Sequence, residues 1–205
     1  MQAMRLTLAL FVGSLLFTPR TCQAFVAYTW VNQGMYTSGE TIEYDLDFNG
    51  DLINDILFMS TGMWFGAFVQ GDGRIIAGGN SVHALAEGTS IGPDTPQEDW
   101  LQGYLGQLNI NSSATVPPGV VVNTGEFLMI TAYMGVMFNI EDTVHYGWVR
   151  ISNPVNGTGG IIMDFAYETE PGVGILAGAG VIPEPATSAL LAAGGLLLAL
   201  RRKRE

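Results

Sequence analysis

The sequence predicts an all-β protein, an antiparallel β-sandwich of jelly-roll character with one short helix, plus a C-terminal hydrophobic helix. Three observations carry that prediction. Apolar and polar residues alternate with period two, as in TIEYDLDF, where Ile42, Tyr44, Leu46 and Phe48 interleave with Glu43, Asp45 and Asp47. Turn signals such as QGDGR, NIEDT and NPVNGTGG separate these runs at hairpin spacing. One stretch alone, TPQEDWLQGYLGQL, carries helix-start chemistry.

The elements follow in order. Residues 1–24 read as a signal peptide. Arg5 precedes the apolar run LTLALFVGSLLF, which is too short for an ordinary membrane span, and the end Cys22-Gln23-Ala24 suits signal peptidase. Cleavage is expected between Ala24 and Phe25; the other reading is a buried N-terminal helix. Cys22 is the single cysteine, so the mature chain would hold none. That excludes disulfides, thiol catalysis and cysteine-ligated zinc. Arg20 and Thr21 before Cys22 argue against lipidation.

Residues 25–180 form the expected secreted domain. Its first strands are predicted at FVAYTWV (25–31), TIEYDLDF (41–48), DILFM (55–59), MWFGAFVQ (63–70) and RIIAG (74–78). The helix is predicted over 95–108, with Thr95 as N-cap, Pro96 at the first helical position and Glu98 as the capping-box partner. Leu101, Tyr104, Leu105 and Leu108 would share one face, although Gly103 and Gly106 weaken the helix. Strands resume at GVVVN (119–123), EFLMITAY (126–133), GVMFNI (135–140), TVHYGWVRI (143–151) and GIIMDFAYE (160–168). Within YGWVR, Tyr146 and Trp148 share a face, Gly147 permits close approach of a neighbour, and Arg150 can meet a carboxylate.

Charge narrows the function. Between 25 and 182 two basic residues, Arg74 and Arg150, face seventeen acids with no lysine, a net charge of −15. Such a surface repels nucleic acid and anionic lipid and favours divalent cations. The best metal candidate is DLDFNGDLIND, where Asp47, Asn49, Asp51, the Ile53 carbonyl and Asp55 follow calcium-loop spacing. It resembles the short D-x-N-G-D-x-x-x-D calcium loops of secreted β-proteins, except that Leu52 replaces the usual glycine; Phe58, where an EF-hand needs glutamate, excludes that motif. The competing reading is an acidic hairpin turn built on Asn49-Gly50.

No serine lies in a nucleophile-elbow motif, and His83 and His145 read as surface or packed residues. Among seventeen acids, accidental pairs such as Asp164 with Glu168 are expected, so no catalysis is inferred. Trp64, Trp100 and Trp148 would be the platforms of a carbohydrate-binding module, the rival reading; the other reading of all three is that they are core.

The last 25 residues, 181–205, are distinct. Pro183, Glu184 and Pro185 hold the chain extended ahead of ATSALLAAGGLLLAL, fifteen uncharged residues that end at the basic cluster Arg201, Arg202, Lys203 and Arg204. As a helix the apolar run spans about 22 Å, short of the ~30 Å hydrocarbon core, and the basic cluster stops transfer on the cytoplasmic side. These three elements in this order resemble the PEP-CTERM sorting domain of bacterial envelope proteins, with Ile182 where valine is usual. Tyr146–Arg150 and the later AYE and PG segments are similar to stretches of secreted β-rich proteins that carry the same tail.

The resemblance implies an exosortase-type membrane peptidase as partner, recognising Pro183, Glu184 and Pro185 and removing the helix. The plain alternative is a single-pass anchor. The expectation is an exported cell-envelope or extracellular-matrix protein, its tail initially in the inner membrane, with a non-catalytic structural or adhesive role. The alternative is a calcium-assisted module that binds extracellular polysaccharide.

Overall fold

A computed structural model describes residues 25–37, 39–61, 64–78, 81–102, 105–112, 122–154 and 159–181, with the backbone course alone for 105–112 and 122–124. The predicted signal peptide with Ala24, and the sorting motif, apolar run and basic cluster of 182–205, lie outside the described residues. Among those described, no helix is long and apolar enough to cross a membrane.

The chain is all-β. Strands run β1 (Val26–Gly34), β2 (Ile42–Leu46), β3 (Ile56–Ser60), β4 (Trp64–Val69), β5 (Arg74–Gly78), β6 (Ser81–Val82) and β7 (Ser90–Ile91). After a 3-10 turn (Gln97–Asp99) come β8 (Trp100–Gln102), β9 (Leu105–Ser112), β10 (Val122–Thr124), β11 (Thr131–Ile140), β12 (Thr143–Ser152), β13 (Ile161–Glu168) and β14 (Ile175–Leu176). The sheet order is β1-β13-β12-β11-β5-β6-β9-β4-β3-β2, with β8 on β5 and β10 on β9. Among the described pairs only β6 with β9 is parallel.

The two limbs of this path face one another across a shared core. Leu46, Ile56, Phe58, Phe65 and Ala67 from one limb pack with Met134, Val136, Phe138, Val149, Ile151 and Phe165 from the other. Phe48, just past β2, stacks on Phe138 at 4.6 Å and meets Phe165 edge-on at 4.9 Å, which closes one end. Alternation explains β3, where Ile56, Phe58 and Ser60 point inward.

β12 departs from that pattern because both of its faces are covered. Val149 and Ile151 enter the main core, while Tyr146 and Trp148 enter a second cluster with Ile76, Ile91, Trp100, Tyr133, Ala166, Ile175 and Ala177. The β7–β14 pair and the segment after it form this extra layer. Gly147 is required there, since a Cβ would lie 2.7 Å from the Ala166 carbonyl oxygen. The expected close approach is therefore present.

Two expected elements differ. The helix over 95–108 is a three-residue 3-10 turn followed by strands, with no side-chain N-cap. Thr95 accepts instead from the Gly92 N–H at 3.2 Å. Each internal glycine costs a helix about 1 kcal/mol. Strand pairing of Leu101 with Ile75, and burial of Trp100 against Tyr146, win over that weak local preference.

The strand expected over 126–133 begins only at Thr131. Residues 125–130 form a turn in which Met129 has a φ of 59°. Glu126 pins it, its carboxylate accepting the Ala84 N–H at 2.9 Å.

Candidate functional site

The acidic loop between β2 and β3 folds around its own backbone. Asp47 accepts from the N–H groups of Gly50 at 2.7 Å and Leu52 at 2.8 Å through its two oxygens. Asn49 Oδ1 accepts from the Asp51 N–H at 2.9 Å, and its amide donates to Asp51 at 3.0 Å. Asp51 Oδ1 accepts from the Ile53 N–H at 2.7 Å, and Asp55 from the Phe48 N–H at 2.8 Å. Leu52 takes a φ of 69°, the left-handed conformation that the usual glycine would adopt.

Each predicted side-chain ligand thus accepts from a backbone N–H of the loop. Among the described residues no three His, Cys, Asp or Glu side chains gather as a metal-binding group. Asp47, Asn49, Asp51 and Asp55 thus cap the loop's own backbone.

The sequence did not signal what surrounds this loop. Three turns meet at one end of the sheet and enclose a cleft of about 360 Å³, lined by Asp51, Asp55, Asp72, Glu141 and Asp142 beside Phe138. Glu141 and Asp142 make the β11–β12 turn with φ values of 47° and 65°, both left-handed. Burial, followed by the charges of Asp47 and Asp51, pushes the Asp55 carboxyl up to about 6, against the Phe48 N–H that favours its anion.

The sign of that shift gives a prediction. The folded state holds this proton more tightly than the unfolded chain, whose aspartates titrate near 3.8. Stability from this group is full below that value and is lost as pH rises through about 6. Asp55→Asn keeps the acceptor for Phe48 and removes the charge. It is expected to melt above wild type at pH 7.5, with the gap closing at pH 4. A gap independent of pH would show that the carboxyl is not raised.

A second cavity, about 290 Å³, is lined by Ile76, His83, Leu85, Ser90, Asp94 and Asp99, among others. His83 Nδ1 meets Glu126 at 2.9 Å, with both side chains well exposed. His145 is buried, between the Glu168 main-chain carbonyl at 2.9 Å and Thr143 Oγ1 at 3.1 Å. Asp164 and Glu168 have separate partners. Asp164 is bound by Arg150 and Tyr28, while Glu168 accepts from the backbone N–H groups of Phe25 and Glu170.

Burial decides between platform and core for two of the three tryptophans. Trp100 is 7 % exposed and Trp148 fully buried, so neither offers a platform; both fill the second core cluster. Trp64 is half-buried, and the exposed tryptophan is Trp30 on the edge strand β1, at 60 %. The chain matches no family model, no curated protein and no solved structure.

Proposed function

We propose that this chain is an exported protein of the bacterial cell envelope or extracellular matrix, with a structural or adhesive and non-catalytic role. A C-terminal PEP-CTERM signal sorts it to the surface. One observation carries the reading: Pro183-Glu184-Pro185, fifteen uncharged residues and a terminal basic cluster follow one another in the order of such a signal. The domain supplies support. It is an antiparallel β-fold in which His145, Asp164, Trp100 and Trp148 are engaged in packing and bracing, and its two facing limbs suit a jelly-roll-like sandwich.

The reading is tested by the mass of the exported protein in a bacterium with an exosortase-type peptidase and in one lacking it. Loss of the tail is expected only with the peptidase, and Glu184→Ala should block that loss. A surface product that still carries Arg201, Arg202, Lys203 and Arg204 in the first host would overturn it.

Calcium-assisted polysaccharide binding is the second reading, favoured by five carboxylates around one cleft. Melting in calcium and in EDTA, with Asp51→Ala alongside, separates the two. The self-capped turn predicts coincident melts. A calcium-dependent rise that Asp51→Ala abolishes would establish the second reading, with about 2.7 kcal/mol expected at 100 Kd.

A further inference from the structure

We infer that Glu168 is a receptor for the free α-amino group of Phe25, so that removal of the leader supplies the counter-charge of a buried carboxylate and completes the edge of the sheet. The inference rests on the export reading above and adds a chemical role to the cleavage.

Glu168 ends β13 and is 5 % exposed. A carboxylate so buried needs a cation or several strong donors. Its Oε1 accepts from the Phe25 N–H at 3.1 Å and from the Glu170 N–H at 3.1 Å. Among the described residues no side-chain cation pairs with it. His145 reaches only its main-chain carbonyl.

The composition makes this more than a missing neighbour. Residues 25–181 contain no lysine and two arginines. Arg150 is committed to Asp164, and Arg74 lies on β5, opposite Met137 of β11. The one further fixed cation that this region can carry is an α-ammonium at its own start.

Position 25 is where that start belongs. Val26 pairs with Glu168 in the β1–β13 register, and the Thr169 N–H donates to the Phe25 carbonyl at 3.0 Å. The Phe25 nitrogen is thereby held beside the carboxylate by the strand pairing that follows it. Cleavage between Ala24 and Phe25 would turn one amide N–H at this point into an ammonium with three donors and a full charge. Cleavage one residue earlier or later would carry the charge away from Glu168.

The absence of lysine also supplies the test. The full chain is exported, its N-terminus sequenced, and its amines reductively methylated with 13C-formaldehyde. The label enters the α-amine, and Lys203 where the tail is retained. The expected result is a chain that begins at Phe25 whose α-amine titrates at least one pH unit above the ordinary 7.7–8.0. In Glu168→Gln the titration should return to that range. It should do so too in a chain with two alanines inserted between Ala24 and Phe25, which covers the case in which Glu168→Gln fails to fold.

A chain beginning at Phe25 with an ordinary titration overturns the inference and leaves export standing. An exported chain that starts elsewhere overturns it as well. An uncleaved chain retained in the cytoplasm overturns the export reading itself.

Discussion

Replacing Asp164 with alanine is expected to cost the domain about 3–5 kcal/mol, the range for removing one partner of a buried ion pair. The carboxyl is fully buried and ties three strands together. It accepts from Arg150 Nε at 2.9 Å and from a second guanidinium nitrogen on β12, and from the Tyr28 hydroxyl at 2.9 Å on β1. Arg150 stands opposite it in the β12–β13 register and its side chain is only 20 % exposed, so alanine would strand a largely buried guanidinium. Set against a domain stability of ~5–15 kcal/mol, the loss is large.

Tyr28 reports the same site. Burial, then the hydrogen bond and charge of Asp164, pushes its hydroxyl up to about 12. Stability from this group is full below the ordinary tyrosine value and is lost only as pH rises through about 12. Near-ultraviolet titration should show that late ionisation move toward 10 in Asp164→Asn. Apolar replacement of both partners, Asp164→Leu with Arg150→Met, should recover most of the stability, because no charge is then left buried. A single-variant loss below ~1 kcal/mol would place the pair among ordinary surface salt bridges.

Period-two patterning located the strands well where one face meets a core. RIIAG coincides with β5, and the runs around Ile42 and Ile56 lie within a residue or two of β2 and β3. It placed β12 as well, at 143–151 against Thr143–Ser152, and set Tyr146 and Trp148 on one face; that a second layer covers that face was not legible from alternation. The segment over 95–108 carried real capping chemistry, yet nonlocal pairing with β5 decided its form.

The acidic turn was legible as a turn and as a cluster of oxygens. That Asp72, Glu141 and Asp142 share its cleft was not, since it depends on three hairpins turning at the same end of the sheet. Glu168 was visible only as one acid among many. Its meaning comes from the β1–β13 register, which sets the Phe25 nitrogen beside it.

Trp148→Ala is expected to cost a further ~3–5 kcal/mol and to loosen a whole layer rather than one contact. The indole is fully buried, packs edge-on to Tyr133 at 5.2 Å, and donates from Nε1 to the Ala179 carbonyl at 3.2 Å. That bond fastens the covering segment beyond β14 to the outer face of β12. Hydrogen exchange over residues 175–181 should therefore rise in Trp148→Ala by more than in the rest of the sheet. Trp148→Phe keeps most of the volume and loses the Ala179 bond, so it should fall between wild type and alanine. Trp30→Ala supplies the contrast, because an exposed edge-strand side chain should shift stability by no more than ~0.5 kcal/mol. The pair also decides a functional question. A polysaccharide platform at Trp148 would lose ligand without losing stability, whereas a buried strut loses stability first. If aromatic recognition of polysaccharide occurs on this domain, Trp30 is where its removal should be felt.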